Sequence, residues 1–232
     1  MTVENWEPEN ARSWTEYGRR QLHRGYVPPV ADSIDWGFWG ESPGTEALGE
    51  VSGKRVLDIG CGTGRYAAHL ARARGAHVDA IDSSATQLRR ALDQYGNTRG
   101  VSFVHGDAIE YARAGTPYDV VYSVHGLSYI DPDRSLPAIR DVLRTDGRLV
   151  FSVLHTNAEG VGPSASVRPR TEEVRLSGHA PLPVHMWVLA PILWEELLIR
   201  HGFDVEGIEI LAAPDAGSPV RCQLVRGVRA RA

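Results

Sequence analysis

Between residues 55 and 155 the chain alternates short apolar, often β-branched runs with stretches whose apolar positions recur at helical spacing. Residues 55–59 form such a run and end in glycines, as a buried strand does. Residues 65–74 place Ala67, Leu70 and Ala71 on one helical face, with Gly75 as the stop. Residues 76–81 predict a second strand ending at Asp82, and Ser83 or Ser84 can cap a helix carrying Leu88, Ala91, Leu92 and Tyr95. A third strand (101–104), a short helix (108–114) stopped by Gly115 and Pro117, and a fourth strand (118–124) follow. A helix over 136–144, with Pro137 in its first turn, then leads through an Asp146-Gly147 turn to a fifth strand over 148–154. Strands alternating with helices imply right-handed crossovers and a mostly parallel sheet.

Two stretches fall outside this rhythm. Residues 1–49 read as an aromatic-rich arm holding Trp6, Trp14, Trp36 and Trp39, four of the chain's six tryptophans, with Tyr17, Tyr26 and Phe38 among them. Trp14, Tyr17 and Leu22 share one side of a helix running to about His23, which Gly25 and Pro28-Pro29 end. The Trp36-Gly37-Phe38-Trp39-Gly40 stretch is expected to pack over the mouth of a pocket, either as a satellite hydrophobic cluster under the arm or as a lid whose aromatics contact cofactor or substrate. Residues 156–184, with Pro163, Pro169, Pro181, Pro183, Gly160 and Gly162, read as a substrate-side insertion in a domain spanning 50–232. Beyond it the pattern predicts an added strand over 184–189, a helix over 191–201 with Leu193, Trp194, Leu197 and Leu198 apolar, and two final strands, 204–211 and 220–228.

Composition narrows the class. A length of 232 residues suits one domain with a sizeable core, and 42% apolar with 23% charged residues is ordinary for a globular protein. A net charge of −4 argues against a nucleic-acid surface built on bulk positive charge. No apolar run approaches the ~20 residues of a membrane span, and the N-terminus lacks the basic and apolar regions of a signal peptide. No membrane association and a cytoplasmic, reducing location are therefore expected. Cys61 and Cys222 form neither a disulfide framework nor a metal-ligand cluster, so no metal is expected.

The strongest chemical signal is Lys54 to Arg65, K-R-V-L-D-I-G-C-G-T-G-R. Gly60, Gly62 and Gly64 strip every Cβ from one tight turn, so a ligand can lie against bare backbone. The dinucleotide fingerprint G-x-G-x-x-G needs its third glycine where Arg65 stands; here it comes one position early, preceded by Asp58. That form resembles the first motif of class I S-adenosylmethionine-dependent methyltransferases, and the layout from Lys54 to Val228 is similar to that family's fold. The resemblance implies an α/β, doubly wound, mostly parallel seven-stranded sheet with helices on both faces, Rossmann-like, its last strand antiparallel. It implies S-adenosyl-L-methionine as cofactor. Asp82 then takes the ribose hydroxyls, Asp107 the adenine amino group with Ala108 supplying backbone, and the strand end at Ser123, Val124 and His125 the methionine ammonium. Tyr17, Asp58, Gly60, Cys61, Gly62, Gly64 and Ser83 complete the expected cofactor-binding set.

On the substrate side the expected residues are Trp14, Trp36, Trp39, Tyr129, His155 and His185. His125, Tyr129 and His155 gather at strand ends as the catalytic candidates, because a histidine near neutral pH can accept a proton from an attacking hydroxyl or amine. Transfer from a sulfonium needs chiefly orientation, for which effective molarities of ~10⁵ M or more are available. The expected activity is methyl transfer to an oxygen or nitrogen of a small-molecule metabolite, in specialised metabolism, with a small-molecule acceptor as partner and no nucleic acid. An NAD-dependent oxidoreductase, or a protein that binds the same cofactor without transferring methyl, is the alternative.

Overall fold

The computed structural model describes residues 5–40 and 43–231; the remaining parts of the expected 1–49 arm, 1–4 and 41–42, lie outside the described residues. The chain begins with α1 (Glu7–His23) and passes through a loop and a short 3-10 turn into β1 (Arg55–Ile59), α2 (Arg65–Arg74), β2 (His77–Asp82), α3 (Ala85–Tyr95) and β3 (Val101–His105). It continues through α4 (Ala108–Ala114), β4 (Tyr118–Val124), α5 (Pro132–Val142), β5 (Leu143–Thr156), β6 (Arg170–Val174) and β7 (Leu182–Met186). The last elements are α6 (Pro191–Arg200), β8 (Phe203–Ala212) and β9 (Arg221–Arg229).

Seven strands form one sheet in the order β3-β2-β1-β4-β5-β9-β8, with β6 and β7 a separate two-stranded sheet. β1 pairs in parallel with β2 and β4, while β9 runs antiparallel to both β5 and β8. This is the doubly wound, mostly parallel sheet with an antiparallel last strand that the resemblance implies. The order reverses between β1 and β4, so a crevice opens beyond their carboxyl ends.

The sheet's period of two divides the core between its faces. Val56, Val120 and Val150 pack with Ala67 and Leu70 of α2 and with Ile34, Trp36 and Leu48 of the arm. Leu57, Val121 and Phe151 face the other way, against Ile139 of α5 and Trp194, Leu197 and Leu198 of α6. Strands covered on both faces read as unbroken apolar runs, which is why they are recognisable from sequence.

Four details depart from the periodicity. α5 starts at Pro132, capped by the Asp131 carboxylate accepting from Asp133 N–H at 2.9 Å, so Pro137 stands inside the helix and not in its first turn. The carbonyl it leaves without an amide belongs to exposed Asp133. The expected Asp146-Gly147 turn is a bulge within β5: Tyr118 pairs with Leu143 but Val120 with Arg148. The strand expected over 184–189 instead ends at Met186 and closes a hairpin with β6, registered from Arg170 opposite Met186 to Val174 opposite Leu182. Finally, the 36–40 stretch points both ways. Trp36 is fully buried, its indole N–H donating to the Gly44 carbonyl at 2.7 Å, whereas Phe38 is exposed.

α1 ties the expected arm to the expected insertion. Gly18 presses on α3, where a Cβ would lie 2.3 Å from Thr86 Oγ1, and that hydroxyl donates to the Thr15 carbonyl at 2.6 Å. On its other side, buried Asn10 donates from Nδ2 to the carbonyls of His185 (2.9 Å) and Tyr129 (3.3 Å) and accepts His185 N–H at 2.7 Å. Ser13 Oγ donates to the Pro183 carbonyl at 2.6 Å. Val184, Met186 and Val188 add a small apolar cluster against Tyr129 and Leu154, so the hairpin is anchored more firmly than its composition suggests.

Candidate active site

A cavity of about 730 Å³ lies at the carboxyl ends of β1, β2 and β4, roofed by α1 and the loop after it. Its floor is the glycine turn. Gly60 sits at φ 73°, and a Cβ there would come within 2.8 Å of Gly126 Cα; a Cβ on Gly126 would lie 2.5 Å from the Ile59 carbonyl. Two strand-end loops thus touch backbone to backbone, which only glycine permits.

The Asp82 carboxylate lies beside this turn. One oxygen accepts Gly62 N–H and the other Ser84 N–H, each at 2.8 Å. Those bonds fix the carboxylate at the cavity wall with acceptor capacity to spare. Burial raises its pKa, and the two amides oppose the rise. Ser84, not Ser83, caps α3, accepting Gln87 N–H. Asp58 behind the turn accepts the Tyr122 hydroxyl at 2.6 Å; burial pushes its pKa up to about 7, with the Tyr122 bond opposing and the Asp82 charge adding. Burial, reinforced by those two carboxylates, keeps the Cys61 thiol protonated.

Asp107 lines the same cavity and caps α4, accepting Ile109 N–H at 2.8 Å and Glu110 N–H at 3.1 Å. Its second oxygen accepts from Arg134 at 2.5 Å, and Arg134 also binds Glu7 of α1. Burial alone would raise the Asp107 carboxyl, but Arg134 and the two amides hold it below the usual range.

His125 follows β4 at φ 60°, an unusual backbone for a non-glycine residue. Its N–H donates to the Ser152 carbonyl at 3.0 Å, and its carbonyl accepts Ser128 Oγ at 2.9 Å. The ring is buried and stacks on Phe38. Burial pushes its pKa down to about 4; the Asp35 carboxylate and the Trp36 backbone oppose this more weakly. The neutral ring lines the cavity with both of its nitrogens buried. Tyr129 and Trp14 meet edge to face at 5.5 Å beside it, and burial raises the Tyr129 phenol well above its ordinary value.

Of the residues expected from sequence, Tyr17, Asp58, Gly60, Cys61, Gly62, Asp82, Ser83, Asp107, Ala108, Val124, His125, Trp14 and Tyr129 line this cavity. Six do not. Gly64 lies behind the turn, where a Cβ would strike Phe103 at 2.4 Å. Ser123 braces the loop, donating to the Ile59 carbonyl and accepting Leu127 N–H. Trp36 turns into the core with Ile34 and Leu48, and Trp39 stands edge-on to Phe38 outside the cavity lining. His155 sits at the bulge between β5 and β9. Burial lowers its pKa, with Arg221 reinforcing. His185 stacks on Trp6 at 3.9 Å on the far side of α1. Phe38 of the expected lid stretch lines the cavity, and Asp35, Arg65, Gln87 and Arg90 join it without having been expected from sequence. Gln87 and Arg90, one helical turn apart after Asp82, carried a positional signal; Asp35 carried none.

The donor set fits a nucleoside with a charged tail: bare glycine backbone, a carboxylate held for a diol, and room beside a buried imidazole. Residues 56–147 match the family described as "Methyltransferase domain". The chain is similar to the O-methyltransferase rstn1 of Aspergillus nomiae, 35% identical over 127 residues that cover 53% of this chain and 56% of that one. In structure it resembles an S-adenosylmethionine-dependent methyltransferase from Mesorhizobium loti, with TM-score 0.57 and 24% identity over 78% of this chain and 94% of that one. It also resembles the [4+2]-cyclase SpnF, with TM-score 0.68 and 17% identity over 100% of this chain and 98% of that one. At these identities the structural likenesses speak for the fold alone. The chain spans about half to three-fifths of the length of the curated relatives it matches.

Proposed function

We propose, because residues 56–147 match the family described as "Methyltransferase domain", that this chain is a class I S-adenosylmethionine-dependent methyltransferase and methylates a hydroxyl oxygen of a small, largely apolar molecule. The observation that supports the reading is that the Asp82 and Gly62 cradle and the buried, neutral His125 line one cavity. S-adenosylmethionine, when bound, supplies a methyl carbon activated by a sulfonium, whose departure as a neutral thioether needs no acid from the protein.

Asp82 holds the ribose hydroxyls, the glycine turn admits the cofactor against backbone, and Asp107 with Ala108 meets the adenine edge. His125 takes the proton that the acceptor hydroxyl loses as its oxygen is methylated. Its low pKa keeps the lone pair free at neutral pH. Phe38, Trp14, Tyr17 and Tyr129 wall the remaining space with aromatic surface, orienting a flat apolar acceptor and excluding water. Acceptor selection falls to α1 and its following loop, which supply Trp14, Tyr17 and Phe38 to the cavity.

The test is incubation with methyl-labelled S-adenosylmethionine against panels of phenols, alcohols and amines, with parallel calorimetry of NAD. Label is expected in hydroxyl compounds. Label in amines alone would move the acceptor atom to nitrogen, cofactor binding without any transfer would favour a non-transferring protein, and binding of NAD instead would overturn the family reading.

A further inference from the structure

The loop between α1 and β1 closes on one side of His125. Ile34 and Trp36 are buried with Leu48, and the Trp36 indole N–H is bonded to the Gly44 carbonyl, so this part of the loop is held in place. Asp35 and Phe38, on either side of the Trp36 anchor, both line the cavity. The Tyr66 hydroxyl of α2 donates to the Asp35 carbonyl at 3.3 Å. Asp35 Oδ1 accepts Gly37 N–H at 3.0 Å, and the next residue, Phe38, lands on the imidazole with ring centroids 4.0 Å apart. The Gly37 amide is neutral, so that bond leaves the charge of the carboxylate uncancelled.

An anchored loop thus brings three features to one ring: the Asp35 carboxylate, the Trp36 backbone and the face of Phe38. Burial disfavours the protonated imidazole, and Asp35 and the Trp36 backbone act the other way. Taking up a proton here is costly, because a cation shielded from water needs a counter-charge. In the reaction the acceptor oxygen bonds the methyl carbon, the carbon–sulfur electron pair stays with sulfur, and the O–H proton passes to a His125 nitrogen. One positive charge thereby leaves the sulfonium and reappears on the imidazole. A fixed negative charge beside the ring is worth most once that charge has arrived, so it acts on the barrier more than on the bound ground state.

We propose that Asp35 is a positioning residue for methyl transfer, its carboxylate steadying the imidazolium that His125 becomes, an inference that rests on His125 serving as the base in the reading above. The loop after α1 then does more than cover the cavity: it sets the charge balance of the group that β4 presents.

Asp35→Asn keeps an oxygen for Gly37 N–H and removes only the charge. Proton NMR across pH 3 to 8, with the His125 resonance assigned by its loss in His125→Asn, is expected to show the His125 pKa falling below its wild-type value of about 4. Single turnover of a phenol that takes the methyl label is expected to slow roughly tenfold, the rate equivalent of about one pKa unit. Affinity for S-adenosylhomocysteine and the KM of the phenol are expected within about twofold of wild type. In the His125→Asn background the same substitution is expected to change the rate by less than about twofold, since the charge it removes has nothing left to steady. An unmoved His125 pKa overturns the proposal. So does an equal slowing by Asp35→Asn with or without His125, the mark of a loop that merely holds its shape. A raised phenol KM at full turnover overturns it too, because Asp35 would then bind the acceptor. Full turnover by His125→Asn alone overturns the base reading itself, a result that Asp35→Asn cannot mimic.

Discussion

Phe38 and His125 stack face to face, their ring centroids 4.0 Å apart and their planes within 8°, and both residues hold positive φ, 72° and 60°. Two strained backbones from distant parts of the chain thus press one aromatic face onto the imidazole and take it out of water. That contact contributes to the desolvation that keeps His125 neutral.

Phe38→Ala is expected to raise the His125 pKa from about 4 towards 6.5, because water regains the ring. Histidine proton NMR across pH 4 to 8 reads this directly. In wild type the depressed pKa means that stability from this group is present above pH ~6.5 and is lost as pH falls towards 4. A His125 resonance in Phe38→Ala that titrates as in wild type would show that the stack does not control the charge.

His125→Asn keeps a side chain that tolerates positive φ while removing the base. Turnover is expected to fall by about 10²-fold or more, with S-adenosylhomocysteine affinity nearly unchanged, since general-base terms act on the chemical step. Single-turnover rates and calorimetry separate the two, and undiminished turnover would remove His125 from the mechanism.

Asp82→Ala leaves the amides of Gly62 and Ser84 without their acceptor and the cofactor without its own. Loss of these charged hydrogen bonds at ~1.5–3 kcal/mol each predicts cofactor binding weaker by roughly tenfold to a hundredfold or more. Wild-type affinity in this variant would rule out the ribose role.

Asp58 has a folded-state pKa raised to about 7 by burial, so its favourable, protonated state is fully available only below its unfolded value near 4. Stability is lost as pH rises from there through 7. Asp58→Asn keeps an acceptor for the Tyr122 hydroxyl and carries no charge to bury. Its melting temperature is expected to exceed wild type at pH 8, with the gap closing at pH 5. A gap that widens towards acid would reverse the sign and refute the argument.

Asn10→Ala removes three hydrogen bonds that join α1 to His185 and Tyr129 from a buried position. Leaving those backbone groups unpaired is expected to cost about 1–3 kcal/mol. Amide exchange over α1 and the β6–β7 hairpin should accelerate together. If the hairpin exchanges quickly in wild type, the latch is too weak to matter.

What the sequence determined by itself is what depends on near neighbours along the chain. Strands buried on both faces announce themselves as apolar runs, helices by their 3.6-residue spacing, and the glycine turn by backbone shapes that other residues resist, so the sheet and the Asp58–Gly62–Asp82 corner were legible. The starts of elements were less so, because α5 begins at a cap, Asp131, that lies ahead of its apolar pattern. Tertiary structure alone decided which expected side chains share a space. Trp36 entered the core and His155 and His185 turned away from the cavity, while Phe38 and Arg90 joined it, because the direction of a loop side chain is set by which surface it can cover. Charge states followed the same rule: His125 is neutral through burial by partners far away in sequence, and desolvation is a property of the folded neighbourhood that residue order does not encode locally.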